Sequence, residues 1–301
     1  PAVGGHVRTV NPAALRVATR ASPLALAQVD LVEAALGHRV ERVAVSTAGD
    51  RHTDVALHQL GGQGLFVKEV QRAVLEGVAD IAVHSAKDLP SITPSDLALV
   101  GYLERADPRD CLVGTGWSDL GVGATVATGS VRRQWLLAEL RPDLRFVDLR
   151  GNMARRLEQV PAGGAVVAAR AALVRLGWAD RCASTFSTDE LLPQVGQGAI
   201  AIECRADSPL RAQLAAVCDR TTGLAVTAER AYLEQLGAGC EIPVAAHARV
   251  DGGVLDVEVW RAGEPGAASF RRREQRRCVD ANGAAEFGAE LGHAAAAWRD
   301  S

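Results

Sequence analysis

Short apolar runs alternate along the chain with longer segments of helical period. Leu15 to Thr19 is an apolar run that predicts a buried strand. Ser22-Pro23 opens a helix reaching about Gly37, because proline suits a first turn whose N–H groups have no intrahelical partner. Arg42 to Thr47 places Val43 and Val45 two apart, the period of a strand. A polar, glycine-rich loop is expected from Ala48 to Gly64. Leu65 to Glu76 carries Phe66, Val70, Ala73 and Val74 at helical spacing, and Gly77 ends that helix. Asp80 to His84 reads as a strand, with Lys87-Asp88-Leu89-Pro90 as the loop beyond it. Strand and helix in alternation predict a mostly parallel sheet with helices on both faces.

A second unit begins near Pro108. Cys111 to Gly114, Thr125 to Thr128, Arg145 to Leu149 and Ala165 to Ala169 are strand candidates. Ser130 can cap a helix running to about Leu140, with Pro142 stopping it. A further helix starts at Asn152, and Ala171 to Leu176 is a short helical piece. Gly196-Gln197-Gly198 leads into a strand, Ala199 to Glu203, that can return the chain to the first unit. Two α/β lobes with paired crossings follow, and a ligand site is expected between them. The last part differs: a helix from Thr222 to Leu236, a hairpin turning at Asp251-Gly252-Gly253, an arginine-rich strand from Ser269 to Val279, and a helix from Ala284 to Trp298. The fold class expected is therefore α/β, two lobes plus a small C-terminal α+β domain. The boundaries expected are 12–105 with 199–220, then 106–198, then 221–301, with hinges near Arg105, Gly196 and Thr221.

Composition narrows the function classes. Only 4% of the 301 residues are aromatic, so Ala, Val and Leu must fill the cores. A net charge of −3 argues against a general nucleic-acid binder, which needs a positive contact face, but leaves room for a local basic cleft. No apolar run approaches membrane-spanning length, and the N-terminal residues form no apolar signal core, so a cytoplasmic location is expected. The six cysteines form no C-x-x-C pair and the histidines have no ligand spacing. Thiols are expected there, and no metal site.

Candidate chemistry gathers at strand ends and helix starts. Arg132 and Arg133 fall in the first turn of the helix capped by Ser130, where cations oppose the helix dipole at a cost of up to about 1 kcal/mol. A bound carboxylate or phosphate would reverse that cost. Arg20 and Arg150 each follow a strand, and Arg155 and Arg156 sit one turn into the next helix. Any one of these could be solvated surface, but the set lies at the ligand end of α/β units. In Val83-His84-Ser85-Ala86-Lys87-Asp88-Leu89-Pro90 a base and an acid are adjacent just past a strand. Asp88 there can exchange a proton or sit beside a developing cation, and a plain polar turn is the alternative. Gly61-Gly62-Gln63-Gly64 can cradle an anion or act as a lid. Cys240 stands among small residues in Gly237-Ala238-Gly239-Cys240-Glu241-Ile242-Pro243, as a nucleophile or attachment point needs, although lone cysteines are commonly packing residues.

Taken together, these segments resemble the hydroxymethylbilane synthase (porphobilinogen deaminase) family from about Arg16 to His247. The resemblance rests on Ala18 to Ala25, Gly64 to Glu69, Asp80 to Pro90, Glu104 to Asp110, Gly129 to Gln134, Leu149 to Asn152, Val195 to Ala199 and Gly239 to Pro243, in that order. It implies three domains, the first two like periplasmic-binding-protein lobes. It also implies a dipyrromethane cofactor held by a thioether to Cys240, porphobilinogen as substrate, and a monomer. Each porphobilinogen carries two carboxylates, so the growing chain is polyanionic. Arg20, Arg132, Arg133, Arg150, Arg156 and Arg175 match the family's carboxylate-binding positions, with Ser22, Lys87, Thr128 and Ser130 as neighbouring polar contacts. Gln28, Phe66, Gly129, Gly196 and Gln197 complete the binding set that the resemblance implies. Asp88 matches the catalytic carboxylate, beside the cation left when ammonia departs.

Two positions depart from the family pattern. Gln59 and Gln63 stand where many relatives have lysines, so that loop has fewer cations to close over an anionic chain. Arg155 stands where many have a neutral residue and is expected to compensate in part. Three readings follow: the transferase, a transferase slowed by the glutamine loop, and a non-catalytic binder of small anions. A pure binder needs neither Cys240 nor Asp88.

Overall fold

The computed structural model describes residues 14–46, 67–237, 243–264, 267–278 and 280–298. The expected loop from Ala48 to Gly64, with Gln59 and Gln63, lies outside them, as do Phe66 and Cys240.

The first lobe is built on β1 (Leu15–Arg20), β2 (Val40–Val45), β3 (Ile81–Ser85), β4 (Leu97–Tyr102) and β10 (Ile200–Arg205), in the order β2-β1-β3-β10-β4. The second is built on β5 (Asp110–Gly114), β6 (Thr125–Ala127), β7 (Arg145–Val147), β8 (Ala165–Ala169) and β9 (Cys182–Thr185), in the order β7-β6-β8-β5-β9. Both sheets follow one plan. Three strands run parallel, and an antiparallel strand separates them from the fifth. The antiparallel member is β10 in the first sheet and β5 in the second, and each enters from the other lobe. The sheets are thus mixed, a correction to the mostly parallel sheet expected. Crossing the lobes twice forces the entering strand to run against its neighbours.

Helices α1 (Pro23–Leu36), α2 (Lys68–Leu75), α3 (Val131–Leu140), α4 (Met153–Leu157), α5 (Arg170–Arg175) and α6 (Arg211–Ala215) flank these sheets. Side-chain caps start α1, α3 and α4: Ser22 accepts from the Ala25 N–H, Ser130 from that of Arg133, and Asn152 from that of Arg155. Such a cap contributes about 1 kcal/mol and sets where the helix begins. Strands β4 and β9 and helix α6 are elements the sequence pattern does not predict.

The C-terminal part is a three-stranded antiparallel sheet, β11 (Val244–Asp251), β12 (Val254–Arg261) and β13 (Phe270–Arg277). Helices α7 (Arg220–Gln235) and α8 (Ala281–Ala297) pack with it. Leu255, Val257 and Val259 meet Tyr232, Phe287 and Leu291 in one core cluster. The register partners Ala245 and Trp260 belong instead to the core of the second lobe, beside Leu112 and Phe186. This small domain is therefore wedged onto the second lobe by apolar contact. Among the described residues no helix is long and apolar enough to cross a membrane.

Candidate active site

The chain leaves β3 through a single 3₁₀ turn, Ala86–Asp88, which carries Lys87 and Asp88. Four contacts hold this turn. The Ala86 N–H donates to the Ala199 carbonyl at 3.0 Å, and the Gln194 amide donates to the Lys87 carbonyl at 3.2 Å. Gln28, buried on α1, donates to the Ser85 hydroxyl at 2.7 Å. Gly196, at φ 70°, lies so close that a β-carbon there would come within 3.1 Å of the Ala86 carbonyl carbon. Upstream on β3, the buried His84 meets Glu203 of β10 at 3.0 Å, and Gln71 of α2 donates to both Glu203 oxygens. The backbone under Asp88 is thus fixed from three elements.

The second lobe contributes two strand-to-helix turns. In one, Thr128 is buried and its hydroxyl accepts from the Ser130 N–H at 3.2 Å. Gly129 brings this turn against the other, since a β-carbon would sit 2.8 Å from the Leu149 carbonyl oxygen. Arg150 lies in the second turn and pairs with Asp148 at 2.8 Å. Arg156 follows on α4 and donates to the Gly151 carbonyl at 2.8 Å.

Sequence reasoning assigns Arg132 and Arg133 to ligand carboxylates but misses the carboxylate they already hold. Asp110, the first residue of β5, is completely buried and accepts from Arg132 at 2.6 Å, Arg133 at 2.7 Å and Gln197 at 2.8 Å. Burial pushes the Asp110 carboxyl up, but the Arg133 and Arg132 guanidinium groups outweigh it and hold the group well below the usual carboxylate range. Arg132 also donates to the Leu192 carbonyl, at 2.5 Å. Its guanidinium is therefore held inside the second lobe by two partners. Arg133 reaches further, because its charge acts on both Lys87 and Arg156. Gln197 joins the crossings, donating to the Pro108 carbonyl at 2.7 Å as well as to Asp110.

Around Asp88 the charges are unequal. Burial and the Arg133 charge pull the Lys87 ammonium down to about 8, while Asp88 and Asp110 act in the opposite sense. Burial lowers Arg156 too, joined by repulsion from Arg133, Arg150 and Arg20, with Asp88 opposing. Burial pulls Arg175 down to about 10; its guanidinium donates to the Gly198 carbonyl at 2.6 Å. Asp88 is thus the carboxylate whose field reaches Lys87 and Arg156 amid Arg20, Arg133 and Arg150. Arg150 Nη1 and Arg175 Nε are buried with no hydrogen-bond partner among the described residues. Burying cations beside one another is unfavourable unless anions join them. Arg155, expected to contribute, is exposed. Ser22 is occupied as the cap of α1.

A two-lobed α/β protein that gathers buried cations from both lobes around Asp88 is the class that this fold and site define. The family model described as the porphobilinogen deaminase, dipyromethane cofactor binding domain matches residues 15–212, and that of the porphobilinogen deaminase C-terminal domain matches residues 223–296. A curated porphobilinogen deaminase of Syntrophobacter fumaroxidans is 42% identical over 268 residues, covering 85% of this chain and 87% of the relative. The chain belongs to the porphobilinogen deaminase family, transferases of tetrapyrrole biosynthesis with a dipyrromethane cofactor. Among solved structures, an ancestral cationic amino acid solute binding protein aligns at a TM-score of 0.43 and 16% identity, over 68% of this chain and 87% of that one. A TRAP periplasmic solute binding protein from Desulfovibrio salexigens aligns at 0.39 and 13% identity, over 68% and 71%.

Proposed function

We propose that porphobilinogen units are joined in the cleft between the two lobes, with Asp88 as the catalytic carboxylate and the arginines as carboxylate clamps. The reaction is the family's: four porphobilinogen molecules are linked head to tail with loss of ammonia, and hydrolysis releases the linear hydroxymethylbilane. The observation that carries the assignment is that Asp88, on the fixed turn after β3, is the carboxylate whose charge reaches both Lys87 and Arg156.

The residues fit a polyanionic cofactor. Arg150 and Arg175 keep buried N–H groups with no partner among the described residues, and a carboxylate accepts two such groups from one guanidinium. Arg20, Lys87, Arg133, Arg150, Arg156 and Arg175 would hold the acetate and propionate groups, with Ser22, Gln28, Thr128, Gly129, Ser130, Gly196 and Gln197 shaping the walls. Cys240 would hold the dipyrromethane, which when bound would supply a nucleophilic pyrrole carbon for chain growth.

Asp88 does two things in this reading. Its oxygens stabilise positive charge that develops on a pyrrole nitrogen as ammonia leaves, and they take up the proton released when the pyrroles join. Lys87 supplies a movable point charge to substrate carboxylates, where the arginines supply fixed planar forks. Arg132 acts through Asp110, keeping Arg133 aimed at the cleft.

We assign residues 12–105 with 199–220 to the first domain, 106–198 to the second and 221–301 to the third, in keeping with sheet membership. A cytoplasmic monomer follows from the family resemblance. The test is incubation with porphobilinogen, following ammonia and linear tetrapyrrole together. Release of both in fixed ratio supports the reading; binding without ammonia would leave only an anion binder.

A further inference from the structure

We propose that Cys111 and Cys182 are a redox-active thiol pair that closes to a disulfide when the protein meets a hydroperoxide. The two lie on neighbouring antiparallel strands of the second lobe. Cys111 of β5 is the register partner of Thr185, and Val113 that of Cys182, with a bulge between Leu112 and Val113. Cys111 and Val113 are two residues apart and share one face of the sheet. Cys182, opposite Val113, shares it too, and both thiols belong to the apolar cluster around Leu173 and Leu149. Burial pushes the Cys111 thiol up, and the neighbouring Cys182 adds to the shift.

The two sulfurs differ as an attacking and a resolving thiol should. Cys111 is completely buried, whereas Cys182 is half-buried at the surface of the sheet. Cys182 Sγ lies 3.3 Å from the Thr185 hydroxyl, which accepts from the Arg170 guanidinium at 3.3 Å. Arg109 is also close enough for its charge to act on Cys182. Asp107 bridges these two arginines, at 2.7 Å and 2.9 Å, so they stay fixed beside the sulfur. Cys182 is thus the sulfur of the pair that an oxidant can reach, with two fixed arginines beside it. Cys111 and Cys182 donate to the Ala168 and Ser184 carbonyls at 3.5 Å and 3.7 Å, as Cys204, Cys218 and Cys278 donate to those of Arg205, Leu214 and Asp280, so the pair is set apart by its cross-strand placement.

The chemistry balances with a hydroperoxide as oxidant. The Cys182 thiolate attacks the terminal peroxide oxygen, the O–O bond breaks, and Cys182 becomes a sulfenic acid while hydroxide or alkoxide leaves and takes up a proton. The Cys111 sulfur then attacks the Cys182 sulfur. The S–O bond breaks, and the departing hydroxide leaves as water with the Cys111 proton. Overall two thiols give up two electrons and two protons, and one hydroperoxide is reduced. The new bond would tie β9 to β5, the strand whose first residue holds Arg132 and Arg133.

The test is peptide mapping of the intact full chain after hydrogen peroxide, with alkylation in denaturant before a non-reducing digest. The proposal expects one dominant cross-linked peptide containing Cys111 and Cys182, two hydrogens lighter than its separate parts and released by dithiothreitol. It expects Cys111→Ser, checked by circular dichroism, to accumulate a sulfenic acid on Cys182 that dimedone traps. Cys111→Ala serves if the serine variant does not fold. Both thiols alkylated after oxidation, Cys182 driven to sulfinic acid beside a free Cys111, or disulfides spread indiscriminately over the cysteines would each overturn it.

Discussion

The Arg105 guanidinium donates to the Glu229 carboxylate at 2.5 Å, and Glu229 is completely buried. The same carboxylate accepts from the Gly196 N–H and the Ala248 N–H, each at 2.7 Å, while Arg105 Nε donates to the Gln197 carbonyl at 2.8 Å. Arg105 and Gly196 lie on the two crossings between the lobes, Glu229 lies on α7, and Ala248 lies on β11. One carboxylate therefore ties both crossings to the C-terminal domain. Removing one partner of a buried pair leaves an uncompensated charge, at a cost of about 3–5 kcal/mol. Glu229→Ala is expected to lose stability on that scale in urea unfolding. An unchanged midpoint would show that the junction is held by apolar contact alone.

Asp110 gives a stability prediction with a pH signature. Its folded carboxyl is held below the ordinary carboxylate value by Arg133 and Arg132. A depressed folded pKa contributes stability that is complete above the unfolded value, near about 4, and is lost as the carboxylate is protonated below it. Wild-type unfolding free energy is expected to fall below that pH. Asp110→Asn should start about 3–5 kcal/mol lower at neutral pH and show a shallower acid limb.

Asp88 gives the sharpest activity prediction. Asp88→Ala should still fold, since the turn is held by Ala86, Lys87 and Ser85 contacts that do not use the carboxylate. Its turnover should fall by about a hundredfold to a thousandfold, as for loss of one electrostatic stabiliser worth about 3–4 kcal/mol. Steady-state tetrapyrrole formation checks this, and wild-type turnover in the variant would remove Asp88 from the mechanism.

Lys87 sets an alkaline limit. Its ammonium is pulled down to about 8, so in the free protein it is charged below that pH and neutral above. Affinity for an anionic substrate should therefore weaken as pH rises through about 8, and kcat/KM reports the free enzyme's groups. The expected result is an alkaline fall in kcat/KM that Lys87→Met abolishes while lowering the neutral plateau. On stability the sign is opposite. A lysine whose folded pKa lies below its unfolded value of about 10.4 disfavours the fold at low pH, and that penalty is relieved between the two values.

Much of the fold is legible in the chain. Ala165–Ala169 is a continuous apolar run and is buried at every position. Ser22, Ser130 and Asn152 mark helix starts by their capping chemistry. Strand β9 is short and made of small and polar residues, so it leaves no apolar pattern, whereas β4, Leu97–Tyr102, is an apolar run that the sequence reading passes over. The antiparallel course of β5 and β10 is also hidden, because strand direction follows from crossings between lobes and leaves no local trace.

The site divides in the same way. Arg150 and Asp88 can be picked out as candidates because each follows a strand, and that position is itself the signal. Asp110 is not, since its importance comes from guanidinium groups 22 and 23 residues away that fold onto it. Glu229 is masked in the same manner: it reads as one polar position on an amphipathic helix, while its partner Arg105 lies 124 residues earlier.

The proposed reaction stands on a chain of pyrroles built on a covalent primer at Cys240. Intact mass of the denatured protein, before and after incubation with porphobilinogen, tests it most directly, with Cys240→Ser alongside. A covalent primer gives an excess over the sequence mass equal to two linked pyrroles, growing by whole pyrrole units with substrate and absent from the variant. An unmodified mass that porphobilinogen does not change would contradict it.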